Sequence, residues 1–161
     1  MSEERPSLVH ALREQFQAVL AGIQPPVYRS AVQVVYPHLV WPETAKSFPA
    51  VCFELRESRA LPEKSAMGRE EREFVYRLIA YARDSWRASA LEQTENLATD
   101  VERALAAGFS AARAALAQTV RADLVEWRGP DWQRLETNWR KPYGVALGLV
   151  TARVRYDHGD S

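Results

Sequence analysis

The stretch Glu71-Arg72-Glu73-Phe74-Val75-Tyr76-Arg77-Leu78-Ile79-Ala80-Tyr81-Ala82-Arg83 decides the fold of this chain. Its apolar and aromatic residues alternate, which is the period of a β-strand. Phe74, Tyr76 and Leu78 share one side, while Ile79 and Tyr81 share the other. Neither side is purely polar, so the strand offers apolar surface on a second face that helices on one side alone cannot cover.

The neighbouring segments predict further strands around this one. Residues 48–55 also alternate, and the charged stretch 56–72 is too short for a crossover helix, so these two strands form an antiparallel hairpin with a long loop. Residues 120–127 and 143–156 predict two more strands.

Two amphipathic segments predict helices. The first spans 6–22, and the second begins at Ser89, where Glu92 completes a capping box, and ends at Gly108. The alanine-rich residues 110–118 add a short helical piece. The order α-β-β-α-β-β predicts an α+β domain of two layers, an antiparallel four-stranded sheet with helices packed on one face.

Length and composition favour one soluble domain over residues 1–161. The chain has 47% hydrophobic residues, and its 21 basic residues balance 21 acidic ones, so there is no overall field to attract nucleic acid or a membrane. No signal peptide or membrane span is visible. Residues 25–47, which carry Pro37 and Pro42, predict an irregular arm with at most one short edge strand.

The titratable residues predict no active site, no metal and no cofactor. His10, His38 and His158 lack the spacing of metal ligands. The single Cys52 lies in an apolar run, which favours a core position in a reducing compartment. A small hydrolase using His38 and Cys52 is the weakest of the alternatives.

Two segments carry residue types that are typical of interfaces. The stretch from Arg56 to Glu73 holds five basic and five acidic residues, which suits either a solvated loop or a partner of complementary charge. Its basic candidates for an interaction are Arg56, Arg59, Lys64, Arg69 and Arg72.

The second segment runs from Trp127 to Tyr143 and interleaves aromatic with basic residues. Such residues anchor protein interfaces, stack on single-stranded nucleic acid, or close the end of a sheet, and the sequence leaves these three readings open. The candidates are Trp127, Arg128, Trp132, Arg134, Trp139 and Arg140.

The chain resembles the tail terminator proteins of tailed bacteriophages, which are also called minor tail or tail-completion proteins. The resemblance lies in the order of elements, the run 48–55, the charged loop, the strand 74–83 that leads into an acidic helix, and the closing residues 144–156. The likeness spans nearly the whole chain, except the arm 25–47 and the alanine-rich insert near Ser110.

This resemblance implies a structural virion protein that forms a hexameric ring, caps the tail tube and ends its elongation. The other side of the ring would meet the head-completion or connector protein. It implies as partners further copies of the chain, the tail tube protein and possibly a sheath protein, with DNA only passing through the ring. The expected location is the virion tail, and the host cytoplasm before assembly. Another head-tail connector or a nucleic-acid-binding adaptor is the alternative.

Overall fold

The structure, a computed structural model, describes residues 7–65, 68–140 and 142–157, without the side chains of 136–140. Within these ranges the chain forms two α-helices, five strands and two short 3₁₀ turns. The helices and strands, in chain order, are α1 (Leu8–Ala21), β1 (Val34–Tyr36), β2 (Ala50–Ala60), β3 (Arg69–Arg83), α2 (Ala90–Val120), β4 (Asp123–Arg140) and β5 (Tyr143–Asp157).

The strands form one mixed sheet in the order β1-β2-β3-β5-β4. The α+β class is as predicted, but the antiparallel four-stranded sheet and the order α-β-β-α-β-β are wrong. The difference is β1, which pairs in parallel with the start of β2, Val34 opposite Ala50 and Tyr36 opposite Cys52. The sequence allowed at most one short edge strand in the arm, but three residues among prolines are too few to show a period-two pattern, so this strand was not counted in the predicted sheet.

Helix α2 is one continuous helix of 31 residues, where the sequence predicted an end at Gly108 and a separate short piece. Gly108 lies at the contact between the helices, because a β-carbon there would lie 2.8 Å from Cγ2 of Val19 in α1. The glycine therefore allows close helix packing instead of ending the helix. The predicted cap at Ser89 is confirmed, since its hydroxyl accepts the N–H of Glu92.

Both hairpins have longer strands than the sequence predicted. The loop expected at 56–72 is confined to the residues between Ala60 and Arg69, because charged side chains pair across β2 and β3. Arg59 contacts Glu73 at 3.2 Å in this way. Likewise, β4 runs through Gly129-Pro130 and Trp132 to Arg140, a stretch that was predicted to separate two strands. Its register shifts four times, so the apolar pattern is interrupted.

Both helices pack on the same face of the sheet and bury the main core there. Phe16 of α1 is at the centre of that core, with its ring centroid 4.4 Å from those of Tyr76 and Trp127. Leu78 and Val150 from the sheet and Leu97 and Leu105 from α2 belong to the same core. The opposite side of the sheet, here named the open face, receives no helix from the described residues.

Candidate functional site

One end of the open face is covered by the arm that follows α1. Leu39, Val40 and Phe48 pack there on a small buried cluster that contains Cys52 and Tyr81. The hydroxyl of Tyr81 donates to the carbonyl of Val40 at 2.9 Å, which fixes the arm on the sheet. The arm thus covers part of the apolar surface that the two-sided pattern of β3 predicted.

Beside the arm lies an apolar groove of about 410 Å³, the strongest candidate for a binding site. Leu39, Val40 and Trp41 of the arm form one side, and Ile79 and Leu147 of the sheet form the base. The indole of Trp41 is 58% exposed. The guanidinium groups of Arg77 and Arg134 also line the groove. A mostly apolar concavity with a few charged groups is the usual composition of a ligand or anchor-residue pocket.

The charged residues that line this groove are basic, and one of them, Arg77, has an acidic neighbour. Arg77 lies 3.9 Å from Glu54 on the neighbouring strand, and both side chains are about two-fifths exposed. An ion pair this long and this exposed contributes little to stability, so both groups can reorient towards a charged partner at low cost.

The other half of the open face is charged, and its charges are paired within the chain. Glu71 is 1% exposed, and its carboxylate lies 3.2 Å from Nε of Arg153 and 3.8 Å from the guanidinium of Arg155. Arg153 also contacts Glu126 at 3.2 Å. Buried charges need such partners. This half therefore carries charges that are paired by proximity, although the carboxylate oxygens of Glu71 and the Nε of Arg153 have no hydrogen-bond partner among the described residues, whereas the groove offers apolar surface.

The basic residues predicted in the hairpin lie along it and do not meet in one place. Arg59 and Arg69 pair with Glu73 and Asp157, each at 3.2 Å. Arg72 pairs with Glu70 at 2.9 Å. The remaining two, Arg56 at the irregularity of β2 and Lys64 in the turn, are exposed.

Two of the predicted tryptophans face the helices. Trp127 packs on Phe16, and the Nε1 of Trp132 donates to the carboxylate of Glu102 in α2 at 2.7 Å. These two rings therefore close the core, one of the three readings that the sequence left open. The other basic candidates of β4 point away from the core: Arg128 is exposed and lies 3.9 Å from Glu126, and Arg134 lines the groove.

Trp139 and Arg140 belong to β4, but their side chains lie outside the described residues, as does all of His158.

Cys52 is a core residue, as the sequence predicted. It is fully buried, and burial raises the pKa of its thiol to about 11, so the nucleophilic thiolate is disfavoured near neutral pH. His38 is exposed in the arm. Among the described residues, no group of three or more His, Cys, Asp or Glu side chains could hold a metal ion.

A second, wider cleft of about 640 Å³ lies at the far end of α2. Arg69, Arg113, Arg121 and Arg155 line it together with Asp123 and Asp157. Arg113 pairs with Asp123 at 3.0 Å, and Arg69 pairs with Asp157. Two of the four arginines thus have carboxylate partners within the cleft, and Arg155 lies 3.8 Å from Glu71, so the lining is more basic than acidic.

Sequence reasoning missed Trp86, the most exposed of the large hydrophobic residues in the described part of the chain. It lies in the loop between β3 and α2 and is 87% exposed. The sequence does carry a signal for its exposure, because Trp86 lies among the polar residues Asp84, Ser85 and Arg87 and belongs to no apolar pattern. Trp41 was likewise missed, because only the fold brings the arm beside Ile79 and Leu147.

Comparisons with known protein families and with curated proteins find no match for this chain. In the described part of the chain, neither helix is both long and apolar enough to cross a membrane.

Proposed function

We propose that this protein is a structural subunit of a phage tail that assembles into a ring at the end of the tail tube. The ring ends tube elongation and offers its other side to the head-completion protein. The observation that carries the proposal is the apolar groove between the arm and the open face. A soluble subunit that keeps such a concavity beside exposed Trp41 has surface suited to burial in an assembly.

The distribution of charge supports an assembly role over attraction of a polyanion. Acidic and basic residues are equal in number, and the charged half of the open face is internally paired. The rings of Trp127 and Trp132, two of the three tryptophans that the sequence offered for stacking on nucleic acid bases, pack towards the helices. Protein surfaces are thus better partners for this chain than nucleic acid strands.

The test is to measure the mass of the purified protein by light scattering, alone and mixed with purified tail tubes, and to image the mixture by negative-stain microscopy. The proposal expects closed rings, hexameric as in the family that the sequence resembles, at the tube ends. Tubes that elongate without limit should stop growing when the protein is added. A protein that stays monomeric and leaves tube length unchanged would refute the proposal.

A further inference from the structure

The charges that line the apolar groove all have one sign. Arg77 of β3 and Arg134 of β4 line it, and none of the other described side chains in its lining is charged. Arg134 is exposed, and the side chain of Arg77 is 38% exposed. Apart from the long contact of Arg77 with Glu54, the groove therefore presents positive charge to a molecule that enters it.

The two guanidinium groups border the apolar base in different directions. Ile79 pairs with Leu147 across β3 and β5, and Leu147 pairs with Arg134, so these three positions form one row across the sheet. Arg77 precedes Ile79 by two positions and lies on the same face of β3. An apolar side chain seated on Ile79 and Leu147 therefore has one arginine beside it across the sheet and another along the strand.

The arginines of the groove can bind a carboxylate from outside the chain. A guanidinium carries five N–H donors in a planar fork, so one existing contact does not use up its capacity. The distance of 3.9 Å between Arg77 and Glu54 is too long for a hydrogen bond. A carboxylate that approaches Arg77 in the bidentate geometry forms a shorter and stronger contact than Glu54 does.

The lining of the groove is typical of a site that receives side chains of another protein. Tryptophan and arginine are the residue types that most often dominate the energy of protein interfaces, and Trp41 is 58% exposed here. The volume of about 410 Å³ is near the lower end for ligand pockets, so the groove holds a few side chains and not a folded element. Its apolar base requires an apolar occupant, because an unpaired polar group would lose its hydration there.

We infer that the groove binds a segment of a partner protein in which a large apolar side chain lies between carboxylates. The apolar side chain packs on Ile79, Leu147 and Trp41, and the carboxylates pair with Arg77 and Arg134. Complementary charge sets the orientation of such a segment and excludes basic ones. The inference deepens the proposed function, on which it rests for the place of the partner in the tail, and it names the chemistry of that partner.

The test measures the binding of three synthetic peptides to the unmodified protein by isothermal titration calorimetry. The first peptide is acetyl-Gly-Glu-Asp-Phe-Glu-Asp-Gly-amide. The second replaces its carboxylates by the corresponding amides, and the third replaces phenylalanine by alanine. We expect the first to bind with a dissociation constant of about 0.1 mM or tighter. The other two should bind at least about ten-fold more weakly, because each lacks one part of the recognised pattern.

Charge reversal in the groove gives a readout that a loss of folding would not give. Arg134→Glu should weaken binding of the acidic peptide by about ten-fold or more. The same variant should gain affinity for a peptide in which lysine replaces every acidic residue. Trp41→Ala, which removes an exposed side of the groove, should weaken binding of the acidic peptide by about thirty-fold.

Arg128→Glu is the matched control. Arg128 is an exposed arginine of the same strand, and it lies outside the groove. Its reversal makes the same change in net charge, but it should alter peptide binding by no more than about two-fold at physiological salt, which screens distant charges. Circular dichroism checks the folding of each variant. If Arg134→Glu does not fold, Arg134→Gln removes the charge instead and should weaken binding of the acidic peptide in the same direction.

Three results would overturn the inference. The first is no binding of the acidic peptide, and the second is equal binding of its amide or alanine counterpart. The third comes from sodium decanoate, a carboxylate with an apolar chain: if it binds more tightly than the acidic peptide, the groove takes an amphiphile and not a protein segment.

The peptide measurements and the tube assay fail separately. A protein that caps tail tubes but ignores the acidic peptide would overturn the inference and leave the ring proposal standing. A protein that binds the acidic peptide through Arg134 and Trp41, yet stays monomeric and leaves tube length unchanged, would refute the ring proposal and support the assigned chemistry of the groove.

Discussion

The two faces of the sheet use the same strands in different ways. Towards the helices, Phe74, Tyr76 and Leu78 are each at most 2% exposed and belong to one continuous core. On the open face the same strand has Ile79 at the base of a groove and Glu71 and Glu73 in a charged network. The covered face stabilises the fold, whereas the open face leaves apolar surface accessible in the groove.

Substitution of two adjacent residues tests this difference most strongly. Leu78→Ala should lower the free energy of unfolding by about 2–5 kcal/mol, because it leaves a cavity in the helix-covered core. Ile79→Ala should cost about 1 kcal/mol, since its partly exposed side chain loses fewer contacts. Urea unfolding of both variants measures the two values. Equal losses would mean that the open face is as much a part of the core as the covered one.

Alkaline pH tests the part of the open face that the arm covers. Burial raises the pKa of Cys52 to about 11 from an ordinary value of 9.0. The folded state therefore holds its proton more tightly than the unfolded state, and the stabilisation is complete below about pH 9. The free energy of unfolding should fall as pH rises from about 9 through about 11, by about 1.4 kcal/mol per pH unit. The total loss is roughly 2–3 kcal/mol.

The measurement for Cys52 is the difference in unfolding free energy between the unmodified protein and Cys52→Ala across this pH range. The difference removes the contribution of other groups that titrate in the same range, such as Tyr76, whose pKa burial also raises. A difference that does not change with pH would show that water reaches the thiol beneath the arm.

The smallest effect concerns the attachment of the arm to α2. Asp100 is 1% exposed, and its carboxylate accepts the N–H of Ser30 at 2.7 Å while lying 3.5 Å from Arg103. Asp100→Ala leaves that amide unpaired, at a cost of about 1–2 kcal/mol, and Asp100→Asn should cost less because its amide oxygen can still accept. Hydrogen exchange of the Ser30 amide reports the loss directly. Unchanged exchange in Asp100→Ala would show that this bond does not hold the arm.

The sequence predicted those parts of the fold whose signal is local. The alternation in β2 and β3 and the cap at Ser89 depend on neighbouring residues, and each appears in the structure. The continuation of α2 through Gly108 depends on Val19, and the direction in which Trp127 points depends on irregular pairing in β4. The length of α2 and the direction of Trp127 therefore depend on contacts between residues that are distant in the sequence. The periodicity of apolar residues along the sequence contains no information about such contacts.

The candidate site was predictable only in its general position. The two-sided pattern of β3 indicated spare apolar surface on a second face, and that surface is where the groove lies. The groove itself combines Trp41 with Leu147, more than a hundred positions further along the chain, so only the folded chain brings them together. The density of charge instead predicted an interaction site in the hairpin, where most of the predicted basic residues have acidic partners.

The edges of the sheet restrict how copies can associate. One edge begins with β1, which is three residues long and covers only the start of β2, and beyond it β2 carries charged residues such as Glu57 and Arg59. The other edge, β4, is broken by repeated register shifts. Short, charged and bulged edges resist the addition of further strands. The sheet is thereby protected from open-ended aggregation, and association through side chains is favoured over extension of the β-ladder.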